Sequence, residues 1–425
     1  MSDRTFYMFR KILPFFVLFV VGLAVFTGCG RRLDDTGVVT VTLSGWSNLL
    51  EKQFLQRVID GFEAENPGIK VKYDAIADEY MDVLKTRLIG ETAADVFYLD
   101  ALEAPGLISP GVLEPLNQYI SQEFDLADFE PKLLDAFKSS NTIYGLPKDF
   151  STLVLFYDRQ AFAEAGLSQP PRTWDELREY ARKLTRDRNG DGKIDRYGLG
   201  ILPELARLAY VIEAFGGKLI DAEGMATFAS TESLQGLQLI INQYRKDKSA
   251  SQPSDVGASS GSEIFGQGKA AMVIEGPWLI SYLDDTFPNL KYATAEVPTI
   301  DDKNGTMAYT VAYVMNKKSQ HKAAAWKLIA YLTGKEGMKA WTSGGFALPT
   351  RRSVARQLGY EKRQLYSPFI AGASYATIWQ AGEYLPLILN NFNNQFISAM
   401  LGEQPLASAM QKAQATANKE IQLAQ

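Results

Sequence analysis

The first part of the chain alternates strand-like and helix-like patterns of apolar residues. Residues 38–43 alternate Val, Thr and Leu, which is the two-residue period of a strand. From Leu50 to Phe62 apolar residues recur at helical spacing, and Asn66-Pro67-Gly68 ends the predicted helix. The alternation continues with a strand at 69–73, a helix at 79–89 and a strand at 95–99. Such an order predicts a parallel α/β layer with helices on its faces.

A second α/β pattern begins at residues 153–157, where apolar and aromatic residues predict another strand. Thr173-Trp174-Asp175-Glu176 fits a capping box and predicts a helix that runs to about residue 185. Strands are predicted at 271–274 and 310–315, and apolar residues on one face of 406–421 predict a final helix. The two patterns together predict two α/β lobes, with the chain crossing between them more than once.

The N-terminal segment has the pattern of a secretory signal. Basic residues precede an apolar run at 12–26 that is shorter than the roughly 20 residues of a spanning helix. Phe26-Thr27-Gly28-Cys29 resembles the lipobox of bacterial lipoproteins, with Phe26 in place of the usual Leu. We therefore predict a signal peptide at 1–28, lipidation of Cys29 and a lipidated tether at 29–37. The alternative is an uncleaved anchor helix with an incidental cysteine.

Composition narrows the class of protein. Cys29 is the only cysteine, so the fold must be held by its core and not by internal disulfides. About 390 residues remain after the tether, which is too many for one ordinary core and suits two domains. The formal net charge is −5, and no basic stripe is present, which argues against nucleic acid as a partner. The predicted location is outside the cytoplasm, in the periplasm or at the cell surface.

One acidic segment fits the first nine positions of a calcium loop of the EF-hand type. The candidate ligands occupy alternate positions and are Asp187, Asn189, Asp191, Lys193 and Asp195. Gly198 stands where the bidentate Glu belongs, so completion requires an acid from elsewhere, for which Glu204 is a candidate. Two alternatives stay open, which are one structural Ca²⁺ and a metal-free Asx turn.

Five motifs in order resemble family 1 extracellular solute-binding proteins, which include the maltose-, trehalose- and glycerol-phosphate-binding proteins of bacterial ABC importers. The motifs are FEAENPGIKV at 62–71, ADVFYLD at 94–100, YGLPKDFSTLVLFYDRQAFAEAGL at 144–167, GKAAMVIEGPW at 268–278 and GGFALPTR at 344–351. Each motif alone is weak, but the order and the preceding lipobox make the resemblance specific.

The resemblance implies an α/β fold of the type II periplasmic-binding-protein class, with two α/β lobes joined by a hinge and a ligand cleft between them. By analogy lobe 1 comprises 38–150 plus 312–352, and lobe 2 comprises 151–311 plus 353–425. Ligand contacts available only in the closed state drive hinge closure. The implied partners are a sugar, the permease subunits of the importer and membrane lipid at Cys29. The protein is expected to be a monomer that requires no cofactor.

Candidate ligand contacts in the first half of the chain combine position and resemblance. Trp46 follows the first predicted strand and Asp100 follows the strand at 95–99, at the sheet edge where ligands collect. The resemblance adds Asp149 and Phe150, which lie at the first predicted hinge crossing. The structural alternatives are a Trp that covers the sheet edge, a helix-capping role for Asp100 and a salt bridge between Lys148 and Asp149.

Candidate contacts in the second half rest on the resemblance. Trp278, after Glu275-Gly276-Pro277, matches the position where the family stacks an aromatic ring on a sugar. Tyr313 and Phe346 are placed similarly, with core packing as the alternative for both. Arg351 either donates hydrogen bonds to the ligand or fixes a contact within a lobe.

Binding, and not catalysis, is the predicted activity. His321 is the only histidine and lies among lysines, which argues against a catalytic triad or a zinc site rich in histidine. A secreted glycosidase, which needs only two carboxylates, is one alternative. Another is a binding protein for glycerol-phosphate or another solute that is not a sugar, although phosphate favours clustered arginines. We predict the substrate-binding lipoprotein of an ABC importer with a di- or oligosaccharide or a glucosylated polyol as ligand.

Overall fold

The computed structural model describes residues 37–47 and 49–425 and contains two mixed sheets, each covered by helices. Cys29 and the predicted signal peptide lie outside the described residues. We use "first lobe" for the first sheet with its helices and "second lobe" for the second sheet with its helices. None of the helices in the described part of the chain combines the length and hydropathy needed to cross a membrane.

The first sheet is mixed: Met307–Met315 pairs antiparallel with Val96–Asp100 and with Gly145–Thr152, and the other neighbouring strands pair in parallel. In spatial order its path is Ile69–Ala75, Val39–Gly45, Val96–Asp100, Met307–Met315 and Thr377–Ile378, and Gly145–Thr152 also pairs with Met307–Met315. The helices of this lobe are Leu49–Glu65, Tyr80–Ile89, Ala104–Ile108, Pro131–Asp135, Lys322–Leu332 and Lys335–Thr342. Buried residues such as Leu43, Phe62 and Leu328 form one continuous core between sheet and helices.

The second sheet has five strands. In spatial order they are Tyr292–Ala295, Val154–Asp158, Ala270–Glu275, Tyr197–Gly200 and Ala250–Ser251. In the described part of the chain nine helices accompany them, at Arg159–Glu164, Trp174–Leu184, Leu205–Ala214, Thr231–Ile241, Gly261–Gly266, Trp278–Thr286, Ser367–Ala373, Leu385–Leu401 and Leu406–Ala424. The helix Arg352–Leu358 instead buries Val354 in the core of the first lobe. The last helix buries Met410, Ala413, Ala417 and Ile421 on the face that the apolar spacing predicts.

Three chain segments connect the two lobes. Gly145–Thr152 and Met307–Met315 run antiparallel, with a bulge beside Lys148 where the register shifts between Val311 and Ala312. The third segment contains Leu348 and lies beside Gly145–Thr152. The Leu348 amide donates to the Phe150 carbonyl at 2.8 Å, and the Phe150 amide donates to the Leu348 carbonyl at 3.0 Å. The predicted lobe boundaries fall within these segments, and their exact positions stay predictions.

The capping box at Thr173 forms with one difference from the sequence prediction. Thr173 Oγ1 accepts the amide of Glu176 at 3.2 Å, as predicted for an N-cap. The Glu176 carboxylate, however, accepts the amide of Arg172 at 2.7 Å and not that of Thr173. Residue 173 also forms a strand-like bridge to Thr299.

Candidate functional site

The carboxyl ends of parallel strands gather candidate binding residues in each lobe. In the first lobe the parallel strands Val39–Gly45 and Val96–Asp100 end at one edge, next to Trp46 and Asp100. We call these two residues the first-lobe edge. In the second lobe the parallel strands Tyr197–Gly200 and Ala270–Glu275 end together. Ligands in open α/β sheets bind at such edges, so both positions are candidates.

The two edges face each other across the connecting segments. Leu102, two residues beyond Asp100, packs against the core of the second lobe. Gln380 follows the first-sheet strand Thr377–Ile378 and donates its side-chain amide to the carbonyls of Ala101 and Ala136, each at 2.8 Å, while the preceding Trp379 is buried in the core of the second lobe. Tyr309 lies in the connecting strand Met307–Met315. Its pKa is raised mainly by burial, and the charge of Asp100 adds to this rise. These contacts bring the two edges close to each other.

Trp46 presents a partly exposed ring that neighbouring aromatic residues hold in place. Its ring meets those of Tyr80 and Tyr98 edge to face, with centroids 5.1 and 5.3 Å apart. The Tyr80 hydroxyl donates to the carbonyl of Tyr98 at 3.0 Å, and this hydrogen bond holds the Tyr80 ring in place. Rigid aromatic surfaces of this kind suit the apolar CH patches of a sugar.

Asp100 lies partly buried at the same edge. Its Oδ1 accepts the amide of Leu102 at 2.9 Å, so the local helix-capping alternative is also satisfied. The pKa of Asp100 is raised from 3.8 to about 6, mainly by burial and also by the charges of Glu103 and Asp149, against the lowering effect of the Leu102 hydrogen bond. The carboxyl is therefore poised to change its charge in weakly acidic solution.

The raised pKa of Asp100 predicts a specific pH dependence of stability. The folded state holds this proton more tightly than the unfolded chain, so the stability contributed by Asp100 falls as the pH rises from about 4 to about 6. Asp100→Asn keeps the acceptor for Leu102 and should remove this slope, which we expect to amount to about 1–2 kcal/mol. Urea unfolding of both proteins between pH 4 and 7 measures the difference. Parallel pH profiles would contradict the raised pKa.

Asp149 belongs to a buried cluster at the hinge. Its Oδ2 pairs with Lys148 Nζ and accepts a hydrogen bond from Trp341 Nε1 at 2.6 Å. Lys148 Nζ also lies 4.1 Å from the ring centroid of Trp341 and 4.8 Å from that of Tyr98. Asp149 is only 6 % exposed, so its carboxylate is engaged by the protein itself. The ligand contact predicted for Asp149 stays a prediction, and the salt-bridge alternative is what the contacts show.

The second-lobe edge consists of Arg207, Glu275, Trp278 and Tyr309. Glu275 ends its strand and Trp278 begins the next helix, while Arg207 comes from the first turn of Leu205–Ala214. The Trp278 ring is partly exposed, with the Arg207 guanidinium 5.3 Å and the Tyr309 ring 6.3 Å from its centroid. An exposed ring beside a charged pair is an arrangement that binds polyhydroxylated molecules.

Three predicted aromatic contacts are buried in cores. Phe150 packs between the lobes beside Leu348. Tyr313 is 1 % exposed and meets the Tyr98 ring at 5.4 Å. Phe346 contacts the ring of Phe54 at 5.3 Å. Their contacts fit the packing alternative, and their ligand contacts stay predictions.

Arg351 serves the interior of the first lobe. Its guanidinium donates to the carbonyls of Thr333, Asp125 and Phe124 at 2.6, 2.9 and 3.0 Å. The side chain is 1 % exposed and its guanidinium lies 4.1 Å from the Phe129 ring centroid. Because the side chain is buried and bonded to three carbonyls of the first lobe, the contacts fit the structural alternative, and the ligand contact of Arg351 stays a prediction.

The acidic loop forms a network of Asx turns. The two oxygens of Asp187 accept the amides of Gly190 and Gly192 at 2.7 and 2.8 Å, and Asp191 accepts the amide of Lys193 at 2.8 Å. The remaining candidates behave alike, since Asn189 accepts the amide of Asp191 at 2.9 Å and Asp195 that of Arg188 at 2.6 Å. Within residues 37–47 and 49–425, no group of three or more acids, histidines or cysteines is placed to hold a metal ion.

Calcium binding by the loop therefore stays a prediction, with a direct test. Saturating Ca²⁺ would raise the free energy of unfolding by about 2–3 kcal/mol at a hundredfold excess over Kd. Asp191→Ala should abolish this increment, whereas Asp221→Ala, in an exposed Asx turn elsewhere, should retain it. Thermal melts with Ca²⁺ and with chelator provide the measurement. Equal losses in both conditions would show that only the turn matters.

Sequence reasoning missed three members of the second-lobe edge, which are Arg207, Glu275 and Tyr309. Arg207 lies at the start of a helix that follows the strand end at Gly200, and the same edge rule that selects Trp46 and Asp100 could have found it. Tyr309 had no such signal, because its face is set by the register of Met307–Met315 against Gly145–Thr152. Glu204 Oε2 lies 4.0 Å from Arg207 Nε, and its part in the calcium loop stays a prediction.

Comparisons with known proteins agree with this architecture. The chain is 27% identical over 368 residues to a protein of Brucella abortus named only as a binding protein, covering 84% of this chain and 87% of that one. An ABC transporter solute-binding protein from Thermotoga lettingae, solved with α-D-tagatose, is 27% identical with a TM-score of 0.79, covering 90% and 99% of the two chains. An ABC substrate-binding protein from Listeria monocytogenes, solved with cycloalternan, has the same fold at 23% identity, with a TM-score of 0.83 and coverage of 91% and 99%.

These neighbours confirm the predicted two-lobed α/β fold of the type II periplasmic-binding class. The family model described as bacterial extracellular solute-binding protein matches residues 46–339, which is more than half of the sequence. Because the match spans strands and helices of both lobes, it includes both edges of the cleft. The chain belongs to the family of bacterial extracellular solute-binding proteins.

Proposed function

We propose that this protein captures a saccharide or polyol outside the cytoplasm and delivers it to the permease of an ABC importer. The observation that carries the proposal is the pair of edges, each with a partly exposed tryptophan near polar side chains. Trp46 follows the strand that pairs with the strand ending at Asp100, and Trp278 lies beside Arg207 in the second lobe. The relatives solved with tagatose and cycloalternan support a ligand of this chemistry.

Binding and closure are coupled through the geometry of the cleft. A sugar that touches only one edge gains one stacking surface, whereas a sugar held between both edges gains two. The closed state is favoured by the difference in binding free energy between these arrangements. We propose that the closed form is what the permease recognises, and that Cys29 carries the lipid anchor. Neither step requires a catalytic residue, and we propose no enzymatic activity.

Calorimetric titration tests the proposal directly. The full chain is purified in a detergent without a sugar headgroup and titrated with trehalose, maltose, maltotriose, mannitol and D-tagatose. We expect micromolar or tighter binding of at least one of these, with the probe recovered unchanged. Absence of binding to every probe would refute the saccharide assignment, and hydrolysis of trehalose, maltose or maltotriose would instead indicate a glycosidase.

A further inference from the structure

The second-lobe edge contains an ion pair whose two members differ in accessibility. Arg207 Nη1 lies 3.0 Å from Glu275 Oε2, and the Glu275 side chain is only 2 % exposed. Arg207 retains 18 % exposure. The carboxylate therefore lies behind the guanidinium, and a molecule in the cleft meets Arg207 first.

Glu275 is fixed from several directions. Its Oε2 also accepts the amide of Gly276 at 3.2 Å. Its Oε1 lies so close to Gly261 that a Cβ there would stand 2.2 Å away. A buried carboxylate held this tightly has little freedom to turn toward a ligand. Its effect on the cleft is to hold the Arg207 guanidinium and to neutralise its charge.

The Arg207 guanidinium makes cation–π contacts with two aromatic rings of the edge. Its guanidinium carbon lies 5.3 Å from the Trp278 ring centroid and 5.9 Å from that of Tyr309. The Tyr309 hydroxyl donates to the carbonyl of Ala206 at 2.5 Å, which fixes this second ring. A guanidinium has five N–H donors, and the Glu275 bond occupies one of them. Glu204 Oε2, at 4.0 Å from Nε, is beyond hydrogen-bond reach.

The charges around this position favour neutral ligands. Glu275 balances Arg207, so the pair presents hydrogen-bond donors without a net positive charge. The carboxyls of Asp100 and Glu204 are the other charged groups beside Tyr309, and both repel an anion when ionised. An uncompensated arginine would instead attract carboxylate or phosphate groups.

We propose that Arg207 is a specificity-determining residue of the cleft, donating hydrogen bonds to hydroxyls of a sugar stacked on Trp278. Glu275 is its positioning partner and makes the site select neutral saccharides and polyols over uronates and sugar phosphates. This inference rests on the proposed function and narrows its substrate class. It predicts that the two members of the pair affect selectivity in different ways.

Three variants of the full chain test the assignment against neutral probes (trehalose, maltose, maltotriose, mannitol, D-tagatose) and anionic probes (glucuronate and glucose 6-phosphate). Arg207→Gln should lower the affinity for the neutral probe that wild-type protein binds best by about 10- to 100-fold. Glu275→Gln removes the compensating charge and should shift relative affinity toward the anionic probes by at least about tenfold. Arg182→Gln, on an exposed arginine paired with Asp247 at 3.5 Å, is the matched control and should change neither.

The outcomes separate the inference from the proposed function. Wild-type protein that binds a neutral probe, with Arg207→Gln binding it equally well, overturns the role of Arg207 alone. An unchanged neutral-to-anionic ratio in folded Glu275→Gln overturns the charge-compensation step. Wild-type protein that binds none of the probes overturns both proposals together. If Glu275→Gln does not fold, the Arg207→Gln and Arg207→Lys titrations still decide, since Lys keeps the charge but loses the planar fork.

Discussion

Replacing Trp278 with alanine is expected to weaken saccharide binding by about 1–3 kcal/mol, which is roughly a 5- to 150-fold increase in Kd. The ring is partly exposed at the second-lobe edge, so its loss removes a stacking surface without opening a deep cavity in the core. The Trp278 ring packs over Gly276, where a Cβ would stand 2.2 Å from the ring atoms. The ring is therefore held in place before the ligand arrives, and stacking requires little reorganisation.

The measurement is calorimetric titration with the probe that wild-type protein binds best, together with a thermal melt of each variant. Trp326→Ala is a matched control, because Trp326 stacks on Tyr119 at 5.8 Å on the far helix Lys322–Leu332. The control should lower the melting temperature and leave the affinity unchanged. Unaltered affinity in Trp278→Ala would remove this residue from the site.

The positions of strands and helices could be predicted where local periodicity is strong. The strand predicted at 38–43 is observed at Val39–Gly45, and the helix predicted at 79–89 is observed at Tyr80–Ile89. The strand predicted at 310–315 begins earlier, at Met307, because its first residues pair with Thr377 and Ile378 from a distant part of the chain. Local patterns do not contain such long-range pairing.

The candidate site residues also fall into two groups, those that local sequence could predict and those that depend on long-range packing. Trp46, Asp100 and Trp278 lie at strand ends, and the structure keeps all three partly exposed where parallel strands terminate. Phe346 and Arg351 were chosen by resemblance, and their surroundings are set by residues that are distant in sequence. Arg351, for example, donates to carbonyls more than 200 positions away at Phe124 and Asp125. Burial of this kind follows from tertiary packing, which a motif does not determine.

The hinge contains a buried polar cluster, and backbone hydrogen bonds join its three segments. All three connecting segments exchange backbone hydrogen bonds, and the Lys148–Asp149–Trp341 cluster lies beside their bulge. A bulge increases local twist and leaves a residue outside the regular ladder. Because Tyr98 contacts both Lys148 and Trp46, the cluster also touches the support of the first-lobe edge. Its integrity should therefore affect stability more than any exposed ion pair of the protein.

Asp149→Ala is expected to reduce the free energy of unfolding by about 3–5 kcal/mol, because it leaves the Lys148 ammonium buried without its counter-charge. The Asp149 and Lys148 side chains are 9 % and 6 % exposed, so solvent replaces little of the lost interaction. The variant also leaves the Trp341 indole N–H without its acceptor, which adds the cost of an unpaired buried donor. Urea unfolding followed by circular dichroism measures the loss.

The double variant Lys148→Met, Asp149→Leu separates a charge effect from a packing effect. If the unpaired charge is responsible, removing both charges should restore most of the stability that Asp149→Ala loses, since apolar replacements of buried ion pairs are often tolerated. The exposed pair Glu179–Lys183, at 2.7 Å, gives the comparison, because Glu179→Ala should leave stability nearly unchanged. A double variant as unstable as Asp149→Ala would show that shape and hydrogen bonding at the bulge, and not charge compensation, hold the hinge together.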